Sequence, residues 1–175
     1  NPIRMIRPHL EDIPTFIEPK GFSIRLIQAD EAEIWNQIVL ESEEWLNLSK
    51  NLFQQEFSQH LCDLMKRCFF AVNNKGRPVA TTTAWFYNLQ EIDYGLVHWV
   101  AVLPGYQRLG IGKALVCKAL KLMRNWHSRA ILNTHSKRLP AISLYLDLGF
   151  VPDIDQKDTI QDWKEIQKQL QHPAL

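Results

Sequence analysis

The chain has 175 residues, with 20 lysines and arginines against 19 aspartates and glutamates and a formal net charge of +1. This length suits one domain with its own core, and 46% hydrophobic against 22% charged residues excludes an intrinsically disordered chain. The near-zero charge, without any dense basic cluster, speaks against nucleic acid as a partner.

Residues 1–21 contain four prolines and one glycine before any hydrophobic periodicity begins. We therefore expect an irregular leader over 1–21, followed by one domain over 22–175. The first residues are charged and broken by proline, unlike a signal peptide, and no apolar run is long enough to cross a membrane. The three cysteines lack metal-ligand spacing and are expected to be buried thiols. We expect a cytoplasmic protein with no membrane partner and no metal.

The first half of the domain predicts a strand, two helices and a hairpin. Residues 22–28 alternate as a strand, and Asp30 with Glu33 resembles a capping box that starts a helix through Val39. After a polar break over 41–50, apolar residues at helical spacing predict a second helix over 53–64. Residues 68–72 and 79–87 predict two strands joined by a turn.

The second half alternates strands with helices. A strand over 95–103 leads into a glycine turn and a helix with apolar residues through position 123. We then expect a short strand over 129–134, a helix over 140–148 stopped by Gly149, a strand over 150–154 and a final helix over 158–170. The order β-α-α-β-β-β-α-β-α-β predicts a single α/β domain with a mixed sheet.

The glycine turn lies within "LPGYQRLGIGKAL", residues 103–115. A dinucleotide-binding turn needs a third glycine where Leu115 stands, and a P-loop needs lysine where Ile111 follows Gly110. What remains is a Q-x-x-G-x-G turn from Gln107 to Gly112, in which successive amides at a helix start can point into one concavity. We expect a diphosphate group to bind at this turn; the alternative is a tight turn without a ligand.

This turn resembles the acetyl-coenzyme A pyrophosphate turn of the GNAT N-acetyltransferase superfamily. A second motif of that family, A-x-x-x-Y-x-x-x-G-F, is matched by Ala141, Tyr145, Gly149 and Phe150. The resemblance covers about residues 22–154 and includes the order of the elements. It implies a single-domain GNAT-like fold, with a mixed central sheet flanked by helices and a splayed strand pair for the cofactor.

The resemblance also implies an activity and a site. The activity is transfer of an acetyl group from the cosubstrate acetyl-CoA to a primary amine, by direct attack in a ternary complex. Tyr145 is expected beside the thioester sulfur, where it protonates or hydrogen-bonds the departing thiolate. The remaining cofactor contacts are expected from the strand at Val100, Ala101 and Val102, whose backbone meets the pantetheine arm and the acetyl oxygen, and from the turn at Gln107, Arg108, Leu109, Gly110, Ile111, Gly112 and Lys113.

The sequence departs from the family pattern at two positions. The glutamate base that members often carry is replaced by Leu96, and His98 on the same strand face is the candidate base, although it could equally be a structural histidine. Arg138 stands where many members have a cofactor-contacting asparagine, and it is expected to reach either the cofactor phosphates or the acceptor.

The residues leave the acceptor open between a small amine and a peptide N-terminus. The loop with Glu41, Glu43, Glu44 and Trp45 is expected over the acceptor, where it either attracts a cationic amine or is a solvated acidic loop. The alternative to an enzyme is a non-catalytic acyl-CoA-binding domain; Tyr145 argues against it, because binding alone needs no hydroxyl at the sulfur, whereas the missing glutamate at Leu96 argues for it. Tyr145 itself could instead be a core aromatic on its helix face. The final helix stands where members often have a last strand, and a sheet edge left short could be completed by a second copy as a homodimer.

Overall fold

The computed structural model describes residues 1–175 as seven strands and six helices. The strands are β1 (Pro2–Arg7), β2 (Phe22–Leu26), β3 (Cys68–Asn73), β4 (Pro78–Leu89), β5 (Ile92–Val102), β6 (Ala130–His135) and β7 (Val151–Pro152). The helices are α1 (Ala32–Ser42), α2 (Leu52–Phe57), α3 (Leu61–Leu64), α4 (Ile111–Met123), α5 (Leu139–Asp147) and α6 (Ile160–Leu170). No helix has both the length and the hydropathy needed to cross a lipid bilayer.

All seven strands form one sheet in the order β2-β3-β4-β5-β6-β1-β7. Neighbouring strands are antiparallel except β5 and β6, which are parallel. The helices cover both faces. One core cluster joins α1 and α2 to the sheet around Trp35 and Phe57, and the other joins α4, α5 and α6 around Leu120 and Phe150. The predicted α/β fold with a mixed sheet flanked by helices is confirmed.

The prediction of an irregular leader is wrong for residues 2–7. Strand β1 lies between β6 and β7, with Ile3 and Met5 fully buried and Arg4 on the other face. The prolines concealed this alternation, but Pro2 is the first residue of the strand, where a missing N–H is tolerated. Residues 8–21 contain neither helix nor strand, as expected. The sheet therefore begins before the domain boundary expected at residue 22.

The helix predicted over 53–64 is interrupted. Helix α2 ends at Phe57, the His60 amide donates to the Phe57 carbonyl, and α3 starts at Leu61. Leu61 is consequently 47% exposed, whereas the predicted continuous helix would have buried it with Leu64. The expectation of buried thiols holds for Cys68 and Cys117, but it is wrong for Cys62 on the exposed first turn of α3.

The sheet ends at the short strand β7, which covers two of the five residues predicted for it. The final helix is confirmed as α6, and its Ile166 packs in the same cluster as α4 and α5. No further strand follows β7 in the sheet order.

Candidate active site

The site is organised by the separation of β5 from β6. These two strands pair only at Gly95 with Ala130 and Leu96 with Ile131, although β5 continues to Val102. Beyond Leu96 the edge of β5 that faces β6 has no strand partner, so its backbone donors and acceptors border a gap. The splayed strand pair expected from the resemblance is therefore present.

A β-bulge lies within the splayed part of β5. His98 pairs with Thr83 and Ala101 pairs with Thr81, so two residues of β5 stand opposite the single residue Thr82. Trp99 in the bulge has a φ of 52°, a left-handed conformation that is unfavourable by about 1–2 kcal/mol for a non-glycine residue. An extra residue of this kind bends the strand and re-aims its side chains.

A cavity of about 590 Å³ occupies this region. Its walls come from β5, β6 and α5, from the aromatic end of β4, and from the loop after α1. Its lining includes the predicted residues His98, Val100, Ala101, Arg138 and Tyr145. The structure thus gathers the predicted catalytic residues and part of the predicted cofactor strand around one space.

The glycine turn follows β5 and opens α4. Gly110 has a φ of 81° and precedes the first helical residue, with no side chain capping the helix. The first hydrogen bond of the helix runs from Ala114 N–H to Gly110 O, so the amides of residues 108–113 donate to no protein group. The Gln107 side chain donates to the Val102 carbonyl at 3.1 Å and ties the turn to the end of β5.

The packing around Gly112 admits a Cβ atom. A Cβ atom built on Gly112 would lie 3.8 Å from the nearest atoms, which belong to Leu144 and Val102. Packing within the protein therefore leaves room for a side chain at this position. Arg108, Leu109 and Lys113 are exposed around the turn, whereas Ile111 is buried beneath it. A row of free amides with two cations beside it is suited to an anion.

Tyr145 lies on α5, is 6% exposed and borders the cavity. Its ring packs edge-to-face on Phe150 with centroids 6.0 Å apart. Burial raises the pKa of Tyr145 to about 12, partly opposed by the positive charge of Arg138. The hydroxyl therefore stays protonated at neutral pH and can donate a hydrogen bond into the cavity.

His98 has a partner that the sequence did not reveal. Its Nε2 lies 2.8 Å from Oε2 of Glu56 on α2, and the Trp99 Nε1 donates to the same oxygen at 3.2 Å. The hydrogen bond with His98 is the main cause that lowers the pKa of Glu56, against the opposing effect of burial. A single glutamate on a short helix, 42 residues before His98, carries no sequence signal that links it to this strand.

Arg138 makes an ion pair with Glu43, and both carboxylate oxygens accept from its Nη2 at 2.5 Å. Glu43 also accepts from the amides of Trp45 and Leu46, and its side chain is 6% exposed. Burial alone would raise the pKa of Glu43, but these hydrogen bonds, led by the one from Arg138, outweigh burial and lower it.

The loop after α1 is thereby attached to the β6–α5 connection, where Trp45 also stacks on His135 with centroids 5.8 Å apart. In the structure, Glu43 is neither a solvated carboxylate nor one free for a cationic amine, because Arg138 balances its charge. Contact between Arg138 and a cofactor remains a prediction.

Comparison with known proteins gives a family match over most of the chain. The family described as "Acetyltransferase (GNAT) family" matches residues 30–150. An "uncharacterized N-acetyltransferase" of Methanocaldococcus jannaschii is 29% identical over 114 residues, which are 61% of this chain and 49% of that protein. An "N-alpha-acetyltransferase" of Sulfurisphaera tokodaii is 33% identical over 115 residues, 60% of this chain and 68% of that protein.

Among solved structures, a GCN5-related N-acetyltransferase from Sphaerobacter thermophilus superimposes with a TM-score of 0.67 at 18% identity. The match covers 87% of this chain and 50% of that one. The chain thus spans about half the length of this structure and of the Methanocaldococcus protein. At this identity the structural likeness establishes the fold.

Proposed function

The chain belongs to the acetyltransferase (GNAT) family, and from that premise we propose that it transfers the acetyl group of acetyl-CoA to the α-amine of a peptide. The observation that supports this most is the splayed end of β5, which borders the cavity with Tyr145 and leads directly into the row of free amides. A pyrophosphate, an extended amide-containing arm and a thioester each have a matching surface along this path.

The residues present fit acetyl-CoA as a substrate. The amides of residues 108–113 would hold the pyrophosphate, with Arg108 and Lys113 as neighbouring cations. The edge of β5 that faces β6, which has no strand partner beyond Leu96, would bind the pantetheine amides beside Val100, Ala101 and Val102 as a strand binds a peptide. A backbone amide of the bulged strand would polarise the acetyl carbonyl, a contact typically worth about 3–4 kcal/mol.

Tyr145 would act mainly as a hydrogen-bond donor to the departing sulfur. Burial raises the pKa of Tyr145 to about 12, above that of an ordinary thiol, so complete proton transfer from the phenol to the thiolate is unfavourable. A donated hydrogen bond needs no such transfer and still stabilises the charge that develops on sulfur. His98 would accept the proton of the attacking amine, which needs to be neutral.

The proposed acceptor is a peptide with an apolar first residue. The Sulfurisphaera tokodaii relative is named an N-alpha-acetyltransferase, and this chain shares 33% identity with it. The cavity adds an aromatic wall of Trp85, Phe86 and Tyr87, while the Glu43 carboxylate in its lining is balanced by Arg138. An apolar side chain suits these surroundings better than a polycationic amine does.

Release of free thiol from acetyl-CoA, measured with a panel of acceptors, tests this function. The panel compares short peptides with a free α-amine, the same peptides with a blocked α-amine and a free lysine, and small primary amines. We expect turnover with the free α-amines and its loss when they are blocked. Turnover only with the lysine side chain or with small amines would show that these, and not peptide α-amines, are the acceptor class. No turnover, together with normal acetyl-CoA binding, would favour a non-catalytic acyl-CoA-binding domain.

A further inference from the structure

Two adjacent rings of β5 share one carboxylate on the opposite element. At the bulge, His98 and Trp99 both point toward α2 and contact the same oxygen, Glu56 Oε2. His98 Nε2 lies 2.8 Å and Trp99 Nε1 lies 3.2 Å from this oxygen. The rings are held by aromatic neighbours: Phe57 lies edge-on to His98 at 6.1 Å, and Trp35 lies edge-on to Trp99 at 6.0 Å. The arrangement fixes the carboxylate and the imidazole relative to each other.

The shared carboxylate decides which imidazole nitrogen carries the proton. An indole N–H can only donate, so Glu56 Oε2 is the acceptor of the Trp99 bond, as expected for an ionised carboxylate. An ionised carboxylate has no proton to give, so the proton between it and His98 belongs to Nε2 of the ring. The lone pair of the neutral ring is then on Nδ1, which makes no hydrogen bond within the protein.

We propose that Glu56 is the positioning residue of His98: it holds the imidazole with Nδ1 free to accept the proton of the acceptor amine and balances the charge that results. This inference rests on the proposed function. Glu56 does not line the cavity, whereas His98 does, so Glu56 acts through the ring and not on the substrate. A carboxylate stabilises the imidazolium of a histidine base in the same manner in the Ser-His-Asp triads of hydrolytic enzymes.

The proton balance follows from the overall reaction. The acceptor ammonium ion loses one proton to Nδ1 of His98, and this proton passes on to solvent. The neutral amine then forms the C–N bond to the acetyl carbon while the C–S bond breaks, and its second departing proton ends on the sulfur beside Tyr145. The products are an amide, a thiol and one released proton.

No other charged group contacts His98 directly. The remaining titratable groups of the cavity lining are Tyr87, His135, Tyr145 and the Arg138–Glu43 pair. Glu43 is already bound by Arg138 and by two backbone amides. Glu56 is therefore the counter-charge available to a protonated His98.

The kinetic test replaces Glu56 by Gln, which keeps the shape of the side chain and removes its charge. With the best peptide of the acceptor panel, we expect kcat to fall by about 10-fold to 100-fold. The acid limb of the pH–rate profile should also move to lower pH, and the acceptor KM should change little. Glu56→Asp retains the charge and should keep more activity than Glu56→Gln. Glu33→Gln, an equal change of charge at an exposed position of α1 outside the cavity lining, is the matched control.

The double variant separates a positioning role from a structural one. If Glu56 acts through His98, adding Glu56→Gln to His98→Gln costs no further activity. An equal fractional loss in both backgrounds, or an unmoved pH profile in Glu56→Gln, would overturn the inference.

A separate measurement needs no acceptor, so failure of the proposed function does not affect it. Long-range proton–nitrogen NMR of the free protein reports the histidine tautomers, and His98→Gln identifies the signal of this ring. We expect the neutral ring of His98 to carry its proton on Nε2. A proton on Nδ1 would contradict the arrangement even if the enzyme acetylates peptides well.

Discussion

The substitution Gly112→Glu tests the glycine turn as an anion site. Gly112 is the second residue of α4 and has no positive φ, so its backbone accepts any side chain. A new Cβ would be in ordinary contact with Leu144 and Val102 at 3.8 Å. Replacing glycine in a helix gains roughly 0.5–1 kcal/mol, and a negative charge in the first turn adds about 0.3–1 kcal/mol. The variant should therefore fold at least as stably as the wild type.

Binding should change in the opposite direction. A carboxylate about 5 Å from one phosphate charge costs roughly 1–3 kcal/mol at effective dielectric constants between water and protein surface. A pyrophosphate carries at least two such charges, so the loss should reach about 2 kcal/mol, or roughly 30-fold in affinity.

Calorimetric titration with coenzyme A measures the affinity, and thermal unfolding measures the stability. Asn125→Glu is the control, because it adds the same charge just beyond the other end of α4. We expect weak binding only in the Gly112 variant. Unchanged affinity there, or an equal loss in both variants, would refute the anion site at this turn.

Three further substitutions test other parts of the site. Tyr145→Phe should lower kcat by about 10-fold to 100-fold while the affinity for acetyl-CoA, measured by calorimetry, stays the same; an equal loss of binding would make the hydroxyl a ligand contact instead. Arg138→Ala should lower the free energy of unfolding by about 1–2 kcal/mol at neutral pH, because it leaves the buried Glu43 carboxylate unpaired. The pKa of Glu43 is lowered on folding, so the stability that the ion pair contributes is present above the ordinary pKa of a glutamate and is lost as the pH falls through the lowered value. In denaturant titrations, the free energies of unfolding of the wild type and of Arg138→Ala should therefore converge in acid. A difference that stays constant with pH would contradict the ion pair as its source. Gly95→Ala would bring a Cβ atom within 2.7 Å of Met123 Sδ, at one of the two residue pairs that join β5 to β6. We expect it to lower the free energy of unfolding by about 1–3 kcal/mol in the same denaturant titration. An unchanged unfolding midpoint would show that Met123 can move aside.

Local sequence signals predicted the parts of the site that lie on one continuous segment. The turn from Gln107 to Gly112 needs a left-handed residue and a helix start without a side-chain cap. Gly110, directly before α4, provides both features, so the local sequence is enough to predict the turn. Tyr145 occupies its position because one face of α5 meets the core, which the helical spacing of its apolar residues already indicated.

Contacts between distant segments were not predictable in this way. Strand β1 is placed by pairing with β6, more than 120 residues away, and its prolines masked the alternation of Ile3 and Met5. Glu56 meets His98 only because α2 packs against the bulge of β5. The Arg138–Glu43 pair likewise depends on how the loop after α1 approaches α5, and neither residue is distinguished from a solvated charge by its neighbours in sequence.

Titration of the wild-type protein with acetyl-CoA, with NADH as the control dinucleotide, is the most direct measurement of the central claim. Both ligands carry a diphosphate, but only acetyl-CoA has an extended arm that can pair with the free edge of β5 from Val100 to Val102. We predict micromolar binding of acetyl-CoA and none of NADH. Equal binding of both, or binding of neither, would contradict the claim that the splayed strands and the glycine turn together form an acetyl-CoA site.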